Sequence, residues 1–294
     1  MLLRPGLPAA GARDAWALEL KWDGMRAQLR YAQDGTWCLR SRPGRDCSEQ
    51  FPELASFAAE LRGRDVLADG ELVCLDADGR PDFHRLRRRL VAGDAAAAAR
   101  LASEHPATLM VFDLLHLDGH ATRNLPYIER RTLFERELPA AGPAWRFPPP
   151  LTGELESVLT VTRTHQLEGI VAKRLDSPYT PRRRSGAWLK HKHRSRETFA
   201  VTGWRPAPTT GRRLDTVFVA RTGPAGTLQA AGSAELGLRR EDRDRLRAAL
   251  EQRSVDSRRG GHRVAPGIWL EIDFHGTPQG PLRDPVMREL RLEG

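Results

Sequence analysis

Residues 16–26 read Trp16-Ala17-Leu18-Glu19-Leu20-Lys21-Trp22-Asp23-Gly24-Met25-Arg26, and the order of apolar and charged side chains in them decides how the first domain is read. Successive side chains of a strand point to opposite faces, so Trp16, Leu18 and Leu20 share one face and Glu19 and Lys21 the other. Asp23-Gly24 reads as a tight turn, and the alternation resumes at 25–31. The pattern predicts a hairpin that returns Arg26 beside Lys21. The amine is then fixed at the rim of a sheet, as a positioned nucleophile requires. Alone, K-x-D-G fits a surface strand ending in an Asx-Gly turn equally well; context decides.

Outward from this segment, Asp34-Gly35 predicts a second hairpin, with 37–42 as its return strand. Phe51, Leu54, Ala58 and Leu61 recur at helical spacing, with Gly63 as a stop. Strands are expected at 66–75, 109–116, 168–174 and 188–192. A helix is expected at 127–138, with Tyr127, Arg131, Phe134 and Leu138 on one side. The alanine-rich stretch 91–100 fits a helix or a loop, and the Pro-rich stretch 139–150 a surface connection. Past residue 196 the pattern changes to short strands at 198–204, 214–221, 227–232 and 268–274 around a charged helix at 238–253. Such a set suggests a small β-barrel, an OB-fold or, on the same signals, an SH3-like barrel.

The 294 residues suffice for two domains, each with a core. With 40% hydrophobic and 29% charged residues the chain reads as folded and soluble. A net charge of +9, dominated by arginine, suits a polyanionic partner, although a GC-rich genome favouring arginine codons would give the same composition. Cys38, Cys47 and Cys74 form no C-x-x-C pair, which argues against a disulfide framework or a structural zinc and for reduced thiols in the cytoplasm. Arg4, Pro5 and Gly6 interrupt the first apolar stretch too early for a signal peptide, and no run is long enough to span a membrane.

Four clusters follow Lys21 in order: Ser41-Arg42-Pro43-Gly44, Asp69-Gly70-Glu71, Phe112-Asp113 and Glu168-Gly169-Ile170-Val171. Trp188-Leu189-Lys190-His191-Lys192 closes the series. This ordered set resembles the nucleotidyltransferase motifs of ATP-dependent DNA ligases, and is most similar to the ligase module of bacterial non-homologous end-joining ligases. Ala172 to Lys192, AKRLDSPYTPRRRSGAWLKHK, carries much of the likeness, which extends over nearly the whole chain. It implies an α+β fold: a nucleotidyltransferase (ATP-grasp-like ligase) adenylation domain at 1–195, then an OB-fold β-barrel at 196–294.

The resemblance also implies the chemistry. Lys21 would attack the α-phosphate of ATP to give a lysyl-AMP, from which a 5′-phosphate/3′-OH nick is sealed in DNA repair or end joining. An ammonium cannot attack, and neighbouring cations such as Lys190, Lys192 and a metal ion would favour loss of its proton. Lys190 and Lys192 share a strand face, point into one pocket and would neutralise the transition state. Glu71 and Glu168 would serve the ribose and a Mg²⁺ ion, both counted as metal ligands; Mg²⁺ takes few carboxylates plus phosphate oxygens. Phe112 would stack on adenine and Glu19 would meet its amino group. Arg26 and Arg42 would hold ribose or phosphate by charge-assisted bonds. Basic runs at 182–184 and 191–196 would help clamp nicked double-stranded DNA. The resemblance further implies a monomer, with end-joining or repair proteins as partners.

One motif departs from the family pattern. Leu282-Arg283-Asp284-Pro285-Val286 matches the usual lead-in, but Leu290-Arg291-Leu292-Glu293-Gly294 lacks the usual final lysine, which puts its help to pyrophosphate departure in question. Two rival readings remain at this stage: an RNA ligase or capping-type nucleotidyltransferase, and a weakly catalytic DNA-end-binding module.

Overall fold

In the computed structural model, which describes residues 1–61, 63–139, 141–206, 214–223, 226–234, 237–258, 261–275 and 282–293, the strand Trp16–Leu20 lies at the edge of a four-stranded sheet. The sheet order is Leu2–Pro5, Arg184–Lys192, Gly169–Arg174, Trp16–Leu20. Gly169–Arg174 is antiparallel to both its neighbours, and Leu2–Pro5 runs parallel to Arg184–Lys192.

The hairpin expected at Asp23-Gly24 does not form. Met25–Tyr31 belongs to a second sheet, between Trp37–Ser41 and Val66–Cys74, so residues 21–24 carry the chain from one sheet to the other. Gly24 explains how so short a crossing fits. A Cβ there would stand 2.2 Å from the Leu72 carbonyl oxygen, so only glycine can press against the second sheet. The Asp34-Gly35 hairpin does form. Tyr31 faces Trp37, the Ala32 amide donates to Thr36 at 2.9 Å, and Gly35 takes a φ of +83°.

The second sheet continues through Ala107–Leu117 to Trp145–Arg146 and Ala141–Gly142. The stretch expected to be a surface connection is therefore partly built into the sheet. Trp145 is fully buried, its ring 3.9 Å from that of Phe57 and 5.6 Å from that of Phe134. The helix Tyr127–Glu137 buries Tyr127, Arg131 and Phe134, and Leu138 beyond it, as the spacing predicts. The alanine-rich stretch forms the helix Ala95–Glu104, capped by the Asp94 carboxylate on the Ala97 amide. Helices Phe83–Leu90 and Leu155–Thr164 were not anticipated, although Asp82 caps the first in the same way.

The chain divides into two compact units, Met1–Lys192 and His193–Gly294. In the second, five strands follow one another around a common core: Leu228–Ala234, Leu214–Thr222, Ser195–Pro206, Ile268–His275 and Arg283–Leu292. Across the remaining seam the Leu282 amide donates to the Ala231 carbonyl at 3.4 Å, and no ladder joins first and last strands among the described residues. This is a partly open barrel. Phe199, Val219, Leu270, Ile272 and Met287 fill it, and the helix Arg240–Gln252 adds Leu246 and Leu250.

Candidate active site

Lys21 stands one residue past its strand, and its amide donates to the Gly169 carbonyl at 3.0 Å. Gly169 in turn faces Lys192 across the next ladder. The row Lys21, Gly169, Lys192 brings the two amines to the Glu168 carboxylate. Lys21 Nζ donates to Oε2 at 2.7 Å, and Lys192 Nζ lies 3.1 Å from Oε1. Lys190 is two residues back on the same strand face; burial, and then Lys192 and Lys21, hold its ammonium below the ordinary lysine range. Two lysines thus pair with one carboxylate and a third lies within electrostatic reach, an excess of positive charge that suits a polyphosphate. Gly169 makes the convergence possible. Its φ is +147°, and a Cβ would stand 2.0 Å from the His191 carbonyl oxygen.

Lys21 also borders a pocket between the two sheets. Glu19, Val171, Lys173 and Trp188 come from the first sheet, Arg26, Glu71 and Phe112 from the second. Phe112 meets Trp188 edge-on at 5.9 Å. Glu71 loses hydration here. Burial pushes its carboxyl up to about 8, with Glu168 adding to the rise and Lys21 opposing it. Glu19 is buried and both its oxygens are engaged, one by the Tyr127 hydroxyl and the other by Lys173 Nζ at 2.8 Å.

Arg26 does not extend freely toward a ligand. Its guanidinium makes a two-pronged pair with Asp69, at 3.1 and 2.7 Å, and also donates to Tyr179 and to the Met1 carbonyl. Arg42 is apart from Lys21. It is exposed in the turn 41–44, its amide donating to the Arg26 carbonyl at 3.2 Å, and lines a separate cavity of about 710 Å³ with Arg40, Arg123 and Arg182. Arg26 and Asp69 form part of the wall of that cavity. Arg291, in the closing strand, pairs with Glu289 at 3.2 Å and Glu271 at 3.7 Å; Gly294 lies outside the described residues.

The model of the ATP dependent DNA ligase domain matches residues 9–192. The chain belongs to the ATP-dependent DNA ligase family. It is 33% identical over 305 residues to the multifunctional non-homologous end joining protein LigD of Mycobacterium bovis, an alignment covering 99% of the chain but 38% of that protein. The chain therefore spans well under half the length of that relative. Among solved structures, the ligase domain from M. tuberculosis LigD is 30% identical with a TM-score of 0.59, covering 99% of this chain and 93% of that one. The mycobacterial DNA ligase D complexed with ATP and MES is also 30% identical, with a TM-score of 0.60, covering 100% and 94%. The likeness is to DNA ligases, which sets aside the RNA-ligase and capping readings.

The structure groups Glu19, Lys21, Arg26, Glu71 and Phe112 around one pocket, gathers Lys192 and Glu168 at the tip of Lys21 with Lys190 as a charged neighbour, and leaves Arg42 outside both. It adds residues to which sequence reasoning assigned no role: Lys173, Tyr127, Asp69, Tyr179 and the fully buried pair Arg130–Asp113. Lys173 had a readable signal, since a lysine amid Gly169-Ile170-Val171-Ala172 is anomalous in a buried strand. The others meet only through long-range contacts.

Proposed function

We propose that this ligase seals 5′-phosphate/3′-OH nicks in double-stranded DNA through an AMP carried on Lys21. The observation that carries the reading is the Lys21 amine at the mouth of a pocket, 2.7 Å from Glu168 and beside Lys190 and Lys192. In the first step the Lys21 Nζ–Pα bond forms as the bond from Pα to pyrophosphate breaks, and pyrophosphate leaves with the electron pair. The lysines offset the charge that grows on the phosphates. A 5′-phosphate oxygen then attacks Pα and frees the amine, and the 3′-OH displaces AMP to close the strand. Holding these groups in line provides most of the acceleration.

Phe112 covers one face of the adenine, Glu19 accepts from its amino group, and Glu71, protonated at neutral pH, hydrogen-bonds the ribose. The oxygen donors at Lys21 fit a Mg²⁺ ion: Glu168 would hold it, with Glu71 joining once its proton is lost, and the ion would neutralise phosphate charge. Arg42, with Arg40, Arg123 and Arg182, meets DNA phosphates at the larger cavity. In this reading 1–195 adenylates Lys21 and the barrel at 196–294 clamps DNA. The names of the relatives support a place in end joining or repair; a monomer acting in the cytoplasm with repair proteins as partners completes the proposal.

The test is covalent labelling with ATP, GTP or NAD in Mg²⁺, followed by addition of nicked DNA. Labelling by ATP alone, and sealing only of nicks with a 5′-phosphate, is expected. Equal labelling by GTP or NAD, or DNA binding with no label, contradicts the reading.

A further inference from the structure

Glu19 is held more firmly than a carboxylate at a ligand pocket needs to be for stability. The Tyr127 hydroxyl donates to one oxygen, and Lys173 Nζ lies 2.8 Å from the other. Both partners are themselves fixed. Lys173 donates to the Phe112 carbonyl at 2.6 Å, and its ammonium lies 4.7, 4.9 and 4.5 Å from the ring centroids of Phe112, Tyr127 and Trp188. Burial holds the Lys173 ammonium below the ordinary lysine range, with the Glu19 carboxylate opposing the fall, and the three aromatic faces around it hold it in a single position. Tyr127 begins the helix Tyr127–Glu137, and its oxygen accepts from Arg131 at 3.3 Å, which directs its own hydrogen toward Glu19. Burial and the Glu19 charge keep the phenol protonated and so a donor.

A buried ion pair with no task can be replaced by apolar residues at little cost. This one lies in the wall of the pocket that Lys21 borders, with Glu19 and Lys173 both in its lining. Each carboxylate oxygen accepts two hydrogen bonds, so the clamp fixes the group and still leaves acceptor sites toward a ligand. The geometry points to Tyr127 and Lys173 as positioning residues for base selection: they fix the Glu19 carboxylate where it accepts from the exocyclic amino group of adenine. Guanine presents a carbonyl oxygen at that place, and two acceptors would face each other; a carboxylate free to rotate could turn away and tolerate it. The inference rests on the pocket being the ATP site.

The experiment is initial-rate covalent labelling of the whole chain over a range of ATP and GTP concentrations. Tyr127→Phe removes one hydroxyl and keeps the ring; Lys173→Met removes the ammonium. We expect each to raise KM for ATP by about tenfold, the worth of one hydrogen bond to a charged group, with a smaller change in kcat and a lower ATP-to-GTP preference. That ratio is insensitive to the fraction of folded protein, so a merely structural role would not move it. In a Glu19→Ala background, Tyr127→Phe should add nothing, because the two act through one group. If Lys173→Met fails to fold, Tyr127→Phe decides. An unchanged ATP-to-GTP ratio in folded Tyr127→Phe, with the ratio lowered by Glu19→Gln, overturns the positioning role. An unchanged ratio in Glu19→Gln itself overturns the reading of the pocket.

Discussion

Glu71 faces Arg26 across the ladder, but the Arg26 guanidinium is turned to Asp69, so the Glu71 carboxyl is left to the pocket. Its titration is raised from 4.5 to about 8, chiefly by burial. The native chain therefore keeps a proton that the unfolded chain releases once pH exceeds 4.5. The unfolded state binds fewer protons over this window, and stability falls as pH rises from 4.5 to about 8, then levels. One group contributes a slope of at most about 1.4 kcal/mol per pH unit. Urea unfolding of the protein and of Glu71→Gln between about pH 5 and about pH 8 checks this. The variant should lose part of the decline. Identical curves would contradict the environment described for Glu71. Asp69, which holds Arg26, sits in the same D-G-E motif, and nothing in the motif reveals that its first residue serves an arginine 43 positions earlier.

The Glu168-Gly169 element shows how one backbone position sets three side chains. Gly169 has a φ of +147° and lies against the strand that carries Lys190 and Lys192. Gly169→Ala would force the His191 carbonyl away and displace Lys192 from Glu168. We expect a loss of more than about 1 kcal/mol of stability, as for an alanine in an incompatible conformation, together with loss of most covalent labelling. Denaturant unfolding and a labelling assay measure both; near-normal values in both would show that the strand yields without consequence. Strand existence was readable at this scale because alternation is a local property: 25–31, 66–75 and 168–174 fall within a residue or two of Met25–Tyr31, Val66–Cys74 and Gly169–Arg174. Pairing was not. Trp16–Leu20 and Met25–Tyr31 carry the pattern of a hairpin, but the contact that separates them, Gly24 on the Leu72 carbonyl, joins residues distant in sequence. Trp145 was lost to the prolines around it for the same reason, since its partners Phe57 and Phe134 are supplied by other elements.

Across the whole molecule, every residue proposed for adenylation lies in the unit Met1–Lys192, and the ligase-domain match covers 9–192. The ordered motifs that made the family legible are spread from Lys21 to Lys192, and folding gathers most of them at one pocket and one carboxylate. The barrel was legible as short strands around a helix, whereas its seam, held by Leu282 on Ala231, was not. What the account asserts above all is that a single amine carries the nucleotide. The direct measurement is peptide-level mass spectrometry of the intact chain after incubation with Mg²⁺ and ATP, beside Lys21→Ala treated identically. The account predicts AMP on the peptide containing Lys21, and no adduct on a folded Lys21→Ala chain. AMP on Lys190, Lys192 or Lys173, or undiminished labelling of folded Lys21→Ala, would contradict it.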